Sequence, residues 1–320
     1  MNRPPRRFGR ARRLSLARRC AEIALDATYA GGWAARLAHR VGLHGRLEVS
    51  EETITLPRWR GWSPLRVAFA SDFHAGPTTD PRLLDDACHA IEAVRPELVL
   101  LGGDFVSYHG RHVDALTRRL ALIEAPLGKY AVLGNHDLLA DDEYLVEQLE
   151  EAGVRVLLNE SVRLPEPHAG LVIGGVDDPV QGEMNAARTF DATTGEDARL
   201  LLMHAPQGLL DMAGEMFDLA LCGHTHGGQV ALPGGMPIRM PGPRINRRFA
   251  SGRFSLREGA TLLVTRGIGC SQLPIRLFAP PEIHVLTLVP GIQPERRAAA
   301  AGTAGDAASA SPAAGASATG

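Results

Sequence analysis

The sequence predicts an α/β fold in which two packed β-sheets are flanked by helices. Three observations support this prediction. Short apolar runs bounded by Gly and turn residues recur along the chain, as they do in buried strands. In the first half of the chain these runs alternate with helical patterns, which is typical of a layered α/β domain. In the second half they follow one another with few helices between them, so they require a second sheet.

The first half is predicted as strand, helix, strand, helix, strand, helix. Its strands are the apolar runs 66–70, 98–101 and 130–133. The first helix begins at Asp80-Pro81, an N-cap followed by Pro at the first helical position, and ends before Pro96. The second covers about Val113 to Glu124, and the third begins at Asp141 or Asp142 and ends at Gly153.

The second half is predicted to consist mainly of short strands. One helix is expected at Pro206–Met212, and Arg257-Glu258-Gly259 is expected to form a hairpin turn. The strand candidates are 154–164, 170–176, 199–203, 219–222, 229–232, 253–256, 261–265 and 283–288.

Composition and charge divide the chain into three regions. Residues 1–50 form a basic N-terminal arm or helix, 51–290 the folded domain, and 291–320 an Ala/Gly/Ser-rich tail that is expected to be disordered. The formal net charge is only -2, yet residues 1–19 hold eight Arg and no acidic residue. Such an arm is suited to contact with an anionic membrane surface.

The same features exclude other classes of protein. The four Cys are far apart with no CxxC pair, which argues against a structural zinc knuckle. Acidic Glu22 and Asp26 interrupt the weakly apolar stretch after the arm, and no apolar run is long enough to span a bilayer. We therefore predict a cytoplasmic protein, peripheral at the inner membrane, rather than one exported by the twin-arginine route. No specific nucleic-acid partner is predicted, and the oligomeric state is left open.

Five of the apolar runs end in residues that commonly bind metals. In order, these motifs are Ser71-Asp72-Phe73-His74, Gly103-Asp104, Gly134-Asn135-His136-Asp137, His204 and Gly223-His224-Thr225-His226. In open α/β sheets, ligands bind at the carboxyl ends of the strands. The five motifs therefore predict one metal site on a shared edge.

Taken singly, most of these motifs have a purely structural alternative. Asp72 or Asp104 could simply begin a turn, and a lone His204 could be a buried core residue. The paired imidazoles of His224 and His226, set between glycines, are harder to explain structurally. Carboxylate, amide and imidazole ligands together suit Mn, Fe or Zn better than Ca.

The order of the motifs resembles the calcineurin-like metallophosphoesterase superfamily. The form Gly223-His224-Thr225-His226-Gly227-Gly228-Gln229 is similar to that of a bacterial membrane-linked subgroup. This resemblance implies a four-layer αββα metallophosphatase sandwich of two mixed β-sheets flanked by helices.

The resemblance also implies a role for each site residue. Asp72, His74 and His226 would hold one divalent ion, and Asn135, His204 and His224 a second, with Asp104 bridging them. Mn is the expected metal, with Fe, Zn, Co or Mg as alternatives. His136 would be catalytic and Asp137 would orient it by accepting a hydrogen bond. Arg266 and Arg276 are candidate substrate contacts, because Arg binds phosphate oxygens in a bidentate manner.

The expected reaction is hydrolysis of a phosphodiester, phosphomonoester or pyrophosphate bond by a metal-bridging hydroxide. A small-molecule or lipid-linked substrate is expected, such as a UDP-diacylglucosamine-type lipid A precursor. Two alternatives stay open: a non-catalytic metal-binding interaction module on the same fold, and a mononuclear Fe oxygenase. Seven candidate ligands fit two ions better than one, which argues against the oxygenase.

Overall fold

The structure, a computed structural model, describes residues 24–107 and 109–291. The α-helices bounded within these residues are α1 (Trp33–Arg40), α2 (Pro81–Ala93), α3 (Val113–Leu120), α4 (Asp142–Glu151), α5 (Ala186–Phe190) and α6 (Arg244–Arg248). The first strands are β1 (Glu48–Leu56), β2 (Leu65–Ala70), β3 (Leu98–Leu101), β4 (Lys129–Ala131), β5 (Val154–Val156), β6 (Glu160–Arg163) and β7 (Leu171–Gly175). The remaining strands are β8 (Ala198–Leu202), β9 (Leu219–Cys222), β10 (Ala231–Leu232), β11 (Met236–Pro237), β12 (Gly252–Ser255), β13 (Thr261–Val264) and β14 (Glu282–Pro290).

The strands form two six-stranded mixed sheets and a small two-stranded one. Sheet A has the order β1-β14-β2-β3-β4-β5, and sheet B has the order β12-β13-β9-β8-β7-β6. Within sheet A, β2, β3, β4 and β5 are parallel, and within sheet B, β7, β8, β9 and β13 are parallel. The carboxyl ends of parallel strands in one sheet lie at the same edge, so each sheet offers one edge for a site.

Three buried apolar clusters define the layers. One cluster joins apolar side chains of both sheets, among them Phe69 of β2 and Leu221 of β9, and forms the core between them. A second packs α2, α3 and α4 against the outer face of sheet A. A third covers the outer face of sheet B with α5 and neighbouring loops. The arrangement is helices, sheet, sheet, helices, which confirms the predicted αββα sandwich.

Several predicted elements differ in detail. Residues 154–164 form two strands rather than one, because the chain turns at Asn159, which has a φ of 50°, and passes from β5 in sheet A to β6 in sheet B. The predicted helix at Pro206–Met212 is a short 3₁₀ turn, Pro206–Leu210. The predicted turn at residues 257–259 does join the antiparallel strands β12 and β13.

The N-terminal side of the fold holds a strand that the sequence patterns missed. Strand β1 begins at Glu48 and pairs in parallel with β14 over nine residues. The arginine-rich residues 1–19 lie outside the described residues, as do residues 292–320 of the predicted disordered tail. None of the helices in the described part of the chain is long and apolar enough to cross a membrane.

Candidate metal centre

The five predicted motifs lie directly after five parallel strands, three in sheet A and two in sheet B. Asp72 and His74 follow β2, Asp104 follows β3, and Asn135 follows β4. His204 follows β8, and His224 and His226 follow β9. The edges of the two sheets meet, since His74 Nε2 after β2 lies 3.0 Å from His226 Nε2 after β9.

The first group of ligand atoms belongs to Asp72, His74 and His226. Their nitrogen and oxygen atoms lie within 4.8 Å of one another, and all three residues are buried. The Oδ1 atom of Asp72 is 3.3 Å from His226 Nε2. Two imidazole nitrogens and a carboxylate oxygen aimed at one point are a donor set for a divalent cation.

The second group belongs to Asp104, His204 and His224, which also lie within 4.8 Å. His204 Nδ1 donates to the carbonyl of Gly102 at 2.8 Å, so its Nε2 is left facing His224 Nδ1 at 3.2 Å. Such a backbone bond to the distal nitrogen fixes the tautomer and orientation of a metal-binding imidazole. The Oδ1 atom of Asn135 is buried and has no hydrogen-bond partner among the described residues, as expected for an oxygen reserved for a cation.

The two groups share Asp104. Its Oδ2 atom is 3.5 Å from His74 Nε2 of the first group and 3.3 Å from His204 Nε2 of the second. A carboxylate placed between two sets of imidazoles could bind a cation on each side, as bridging carboxylates do in two-metal hydrolytic sites. The donor set and its burial therefore fit two divalent cations.

The backbone of the site is unusual. Positive φ angles occur at five candidate ligands: Asp72 (55°), His74 (44°), Asp104 (53°), His224 (69°) and His226 (53°). L-residues other than Gly rarely adopt this conformation, and it costs free energy wherever it occurs. The ligands therefore lie in tight turns beyond the strand ends and not on the strands themselves.

Burial and mutual contacts shift the titration of the acidic ligands. Burial alone would raise the pKa of Asp72, but the adjacent His226 holds it below its usual value. Burial would also raise the pKa of Asp104, but His204 and His136 lower it below its usual value. Both carboxylates are therefore ionised at neutral pH and present negative charge to a cation.

The pKa values of the histidines in the second group shift in opposite directions. Burial lowers the pKa of His224 to about 3, which keeps the ring neutral and able to bind a metal. His204 is the exception, because the carboxylate of Asp104 raises its pKa despite the opposing effect of burial. A cation at this position would take the place of the proton that Asp104 otherwise stabilises on His204.

The sequence profile of the calcineurin-like phosphoesterase family matches residues 65–228, which include all seven candidate ligands. The chain belongs to the calcineurin-like phosphoesterase family. It is a metallophosphoesterase, a hydrolase acting on phosphoric ester bonds, and the family implies divalent metal ions at the groups described above.

Two relatives named as phosphoesterases cover most of the chain. An uncharacterized metallophosphoesterase of Aquifex aeolicus (strain VF5) is 31% identical over 76% of this chain and 92% of its own length. Phosphodiesterase YaeI of Escherichia coli (strain K12) is 32% identical over 71% of this chain and 83% of its own length. The 5′-nucleotidase precursor from Thermus thermophilus has a TM-score of 0.41 and 16% identity, covering 70% of this chain and 55% of that one.

Within this phosphoesterase site, the structure gives His136 and Asp137 different partners from those expected. His136 Nδ1 donates to the carbonyl of Ser107 at 2.8 Å, and its ring packs edge-on against His74. The carboxylate of Asp137 accepts backbone N–H groups of Phe105, Val106 and Gly134 instead. Ser107 thus orients the His136 ring, while Asp137 joins the loops that follow β3 and β4.

The two arginines expected to bind substrate are also engaged elsewhere. Arg276 is only 3% exposed, and its guanidinium donates to the carbonyls of Gly269, Ala279 and Arg266. Its Nη2 atom also lies 3.1 Å from His226 Nδ1, so Arg276 packs directly behind a candidate ligand. Arg266 forms ion pairs with Glu48 and Glu282. Both guanidiniums are held by groups of the protein itself, so a role for either in holding a phosphate group stays a prediction.

Sequence reasoning missed one acidic residue of the phosphoesterase site. Asp178 follows β7, which runs parallel to β8, so it lies at the same edge as His204. It is fully buried, its Oδ1 has no hydrogen-bond partner among the described residues, and burial raises its pKa to about 7. The rule that located the other five motifs also applies to the strand end Val176-Asp177-Asp178, and it would have found this residue.

Proposed function

We propose that the chain hydrolyses a phosphodiester with two divalent cations. Asp72, His74 and His226 hold the first cation, and Asn135, His204 and His224 hold the second. The observation that carries the proposal is the position of Asp104 Oδ2, within 3.5 Å of one imidazole from each group. A single-ion site would have no use for two complete donor sets on either side of one carboxylate.

The bound cations would neutralise charge on the phosphoryl oxygens and lower the pKa of water. The residues of the chain determine which cations bind and how strongly they interact with the site. Imidazole together with carboxylate and amide oxygens suits Mn, with Fe, Zn, Co and Mg as alternatives. Burial of the seven ligands excludes bulk water from their outer side, so the electrostatic interactions of the site are strong.

His136 is the proposed proton donor to the leaving oxygen. Its Nδ1 proton is fixed on the Ser107 carbonyl, so Nε2 is the ring atom that accepts or delivers a proton. It is less buried than the ligands around it, and a ring nitrogen lies within 4.8 Å of the ligand atoms of His74 and Asp104. A residue that is near the ligands and open to solvent is suited to general acid catalysis.

The substrate is proposed as a phosphodiester because a relative that spans most of the chain is named a phosphodiesterase. A lipid-linked substrate of the UDP-diacylglucosamine type, and membership of the membrane-linked subgroup, remain predictions from the sequence motif. Phosphomonoesters and lipid pyrophosphates are the competing substrate classes.

The test is turnover of the Mn-loaded protein on phosphodiesters, phosphomonoesters and lipid pyrophosphates, with metal content measured on the same samples. We expect about two metal ions per chain. His136→Ala should lower kcat by roughly 10²- to 10⁴-fold while metal content stays unchanged. His89→Ala, an exposed His on α2, is the matched control and should behave as wild type. Two bound ions without turnover of any substrate would favour the non-catalytic metal-binding module.

A further inference from the structure

Exposed apolar side chains are concentrated on three segments of the surface. The described part of the chain has fourteen exposed large apolar residues, and nine of them lie in residues 33–46, 230–248 and 273–278. They are Trp33, Leu37, Val41, Leu43, Leu232, Met236, Ile238, Leu273 and Phe278. We call these three segments the apolar-basic face. Large exposed apolar patches on a folded protein mark places where it meets a partner or a membrane.

The three segments are joined by direct contacts. The backbone N–H of Arg276 donates to the carbonyl of Leu43 at 2.7 Å, which links the third segment to the first. The N–H of Ala231 donates to the carbonyl of Leu277 at 2.9 Å, which ties the β10–β11 hairpin to residues 273–278. The three segments that carry the nine apolar side chains are therefore in contact with one another.

The face is also strongly basic. Its three segments contain no Asp or Glu, and they carry seven exposed arginines. These are Arg36, Arg40, Arg46, Arg239, Arg244, Arg247 and Arg248. Among the described residues, none of the seven lies within ion-pair distance of a carboxylate, unlike the paired Arg58 and Arg199 elsewhere on the surface. Their charge is therefore available to an anionic partner.

Helix α1 shows the pattern most clearly. It buries only the small side chains of Ala34, Ala35 and Ala38 against the fold. Trp33 and Leu37 lie four residues apart on its outer side, and Val41 continues the row at the next turn, each more than half exposed. Arg36 and Arg40 flank this row. An outward apolar stripe with Trp and flanking Arg is the pattern of helices that lie in a membrane interface.

We propose that the apolar-basic face docks the protein on an anionic lipid bilayer beside the metal centre. Its apolar residues enter the headgroup region, and its arginines contact lipid phosphates. The charge and the apolar character of the face argue against a second copy of the chain and against a nucleic acid as the partner. If the face packed against itself in a symmetric dimer, its arginines would repel one another. Nucleic-acid interfaces are polar and do not require nine exposed apolar side chains.

The apolar-basic face lies next to the candidate metal centre, and its link to catalysis rests on the proposed function. Residue 230 is four positions beyond the candidate ligand His226, and Arg276 contacts the ring of that same His. If the centre hydrolyses phosphodiesters, a docked molecule holds that centre next to lipid headgroups. Binding to the bilayer does not itself depend on hydrolysis, so the two proposals can fail separately.

The test is co-sedimentation of the full chain with vesicles of phosphatidylglycerol and phosphatidylcholine, compared with phosphatidylcholine alone. We expect binding to the anionic vesicles, weakened by salt. Leu37→Ser/Val41→Ser and, separately, Met236→Ser/Ile238→Ser should each lower the bound fraction by about tenfold. The matched control is Leu122→Ser/Leu210→Ser, which removes two equally exposed Leu outside the face and should bind as wild type.

Three outcomes would overturn the proposal. They are no binding to anionic vesicles, unchanged binding of both face variants, and a dimer in light scattering that the face variants abolish. Unchanged binding would assign the membrane contact to the arginine-rich residues 1–19 instead. Turnover of soluble bis(p-nitrophenyl) phosphate is measured on every variant. A protein that binds vesicles but hydrolyses nothing would refute the proposed function and leave the docking face standing.

Discussion

Substituting Gly134 with Ala should disable the centre without removing any ligand. A Cβ at this position would lie 2.3 Å from Asp104 Oδ1, 2.6 Å from the Asp104 backbone nitrogen and 2.7 Å from His204 Cε1. Ordinary contacts of a Cβ begin near 3.4 Å, so Asp104 and His204 would have to move by roughly 1 Å. One of these neighbours is backbone and cannot rotate away. A displacement of about 1 Å at a catalytic site costs on the order of 10²-fold in rate.

The assay is kcat/KM on a soluble phosphodiester, with metal content and the unfolding midpoint measured on the same preparation. We expect a loss of roughly 10²-fold in kcat/KM and reduced occupancy of the second ion, since Asp104 and His204 both belong to its ligand set. Overpacking should also lower the free energy of unfolding by about 1–3 kcal/mol. Gly195→Ala is the matched control, because nothing lies within 4 Å of a Cβ there. Normal turnover and two bound ions in Gly134→Ala would refute this reasoning.

Three further predictions address the supporting residues. Asp137→Ala should lower the free energy of unfolding by about 3 kcal/mol or more in urea titration, because three buried backbone N–H groups lose their acceptor. Arg276→Lys should lower thermal stability, measured by calorimetry, while KM for a small substrate stays unchanged, since the buried guanidinium donates to three backbone carbonyls and does not face solvent. Burial lowers the pKa of His284, but Glu282 and Glu52, at 3.3 and 3.7 Å, raise it above its usual 6.5. A His whose pKa is higher in the folded protein stabilises the fold at pH values below its pKa in the unfolded chain. This stabilisation is lost as the pH rises through its pKa in the folded protein. The Tm difference between wild type and His284→Gln should therefore narrow as the pH rises above about 6.5, and a constant difference would contradict the assignment.

The fold and the ligand positions were predictable because both depend on local signals. Apolar runs of four or five residues ending in Gly-Asp or Gly-His identify buried parallel strands with ligands at their carboxyl ends. The Asp80-Pro81 start of α2 was equally local, and the Asp80 side chain does accept from the N–H of Arg82. The division of residues 154–164 between two sheets was not local. It depends on which sheet each half of the run joins, and the residues of the run do not indicate that sheet.

The roles of the supporting residues could not be read from spacing. Asp137 stands next to His136 in the sequence, yet its carboxylate turns toward the loop after β3. Arg276 was a candidate phosphate contact because Arg binds phosphate oxygens in a bidentate manner, but the chain buries it behind His226. Such partners lie many positions away in the sequence, so only the folded chain shows them.

The left-handed backbone of the five ligands has a consequence for how the protein is made. A non-Gly residue held in such a conformation costs about 1–3 kcal/mol, so five of them together approach the whole stability of an ordinary domain. Divalent cations bind the folded ligand set and not the extended chain, so their binding offsets this cost. The yield of folded protein in a cell should therefore depend on the metal supply during synthesis, and growth in chelated medium should give less soluble protein.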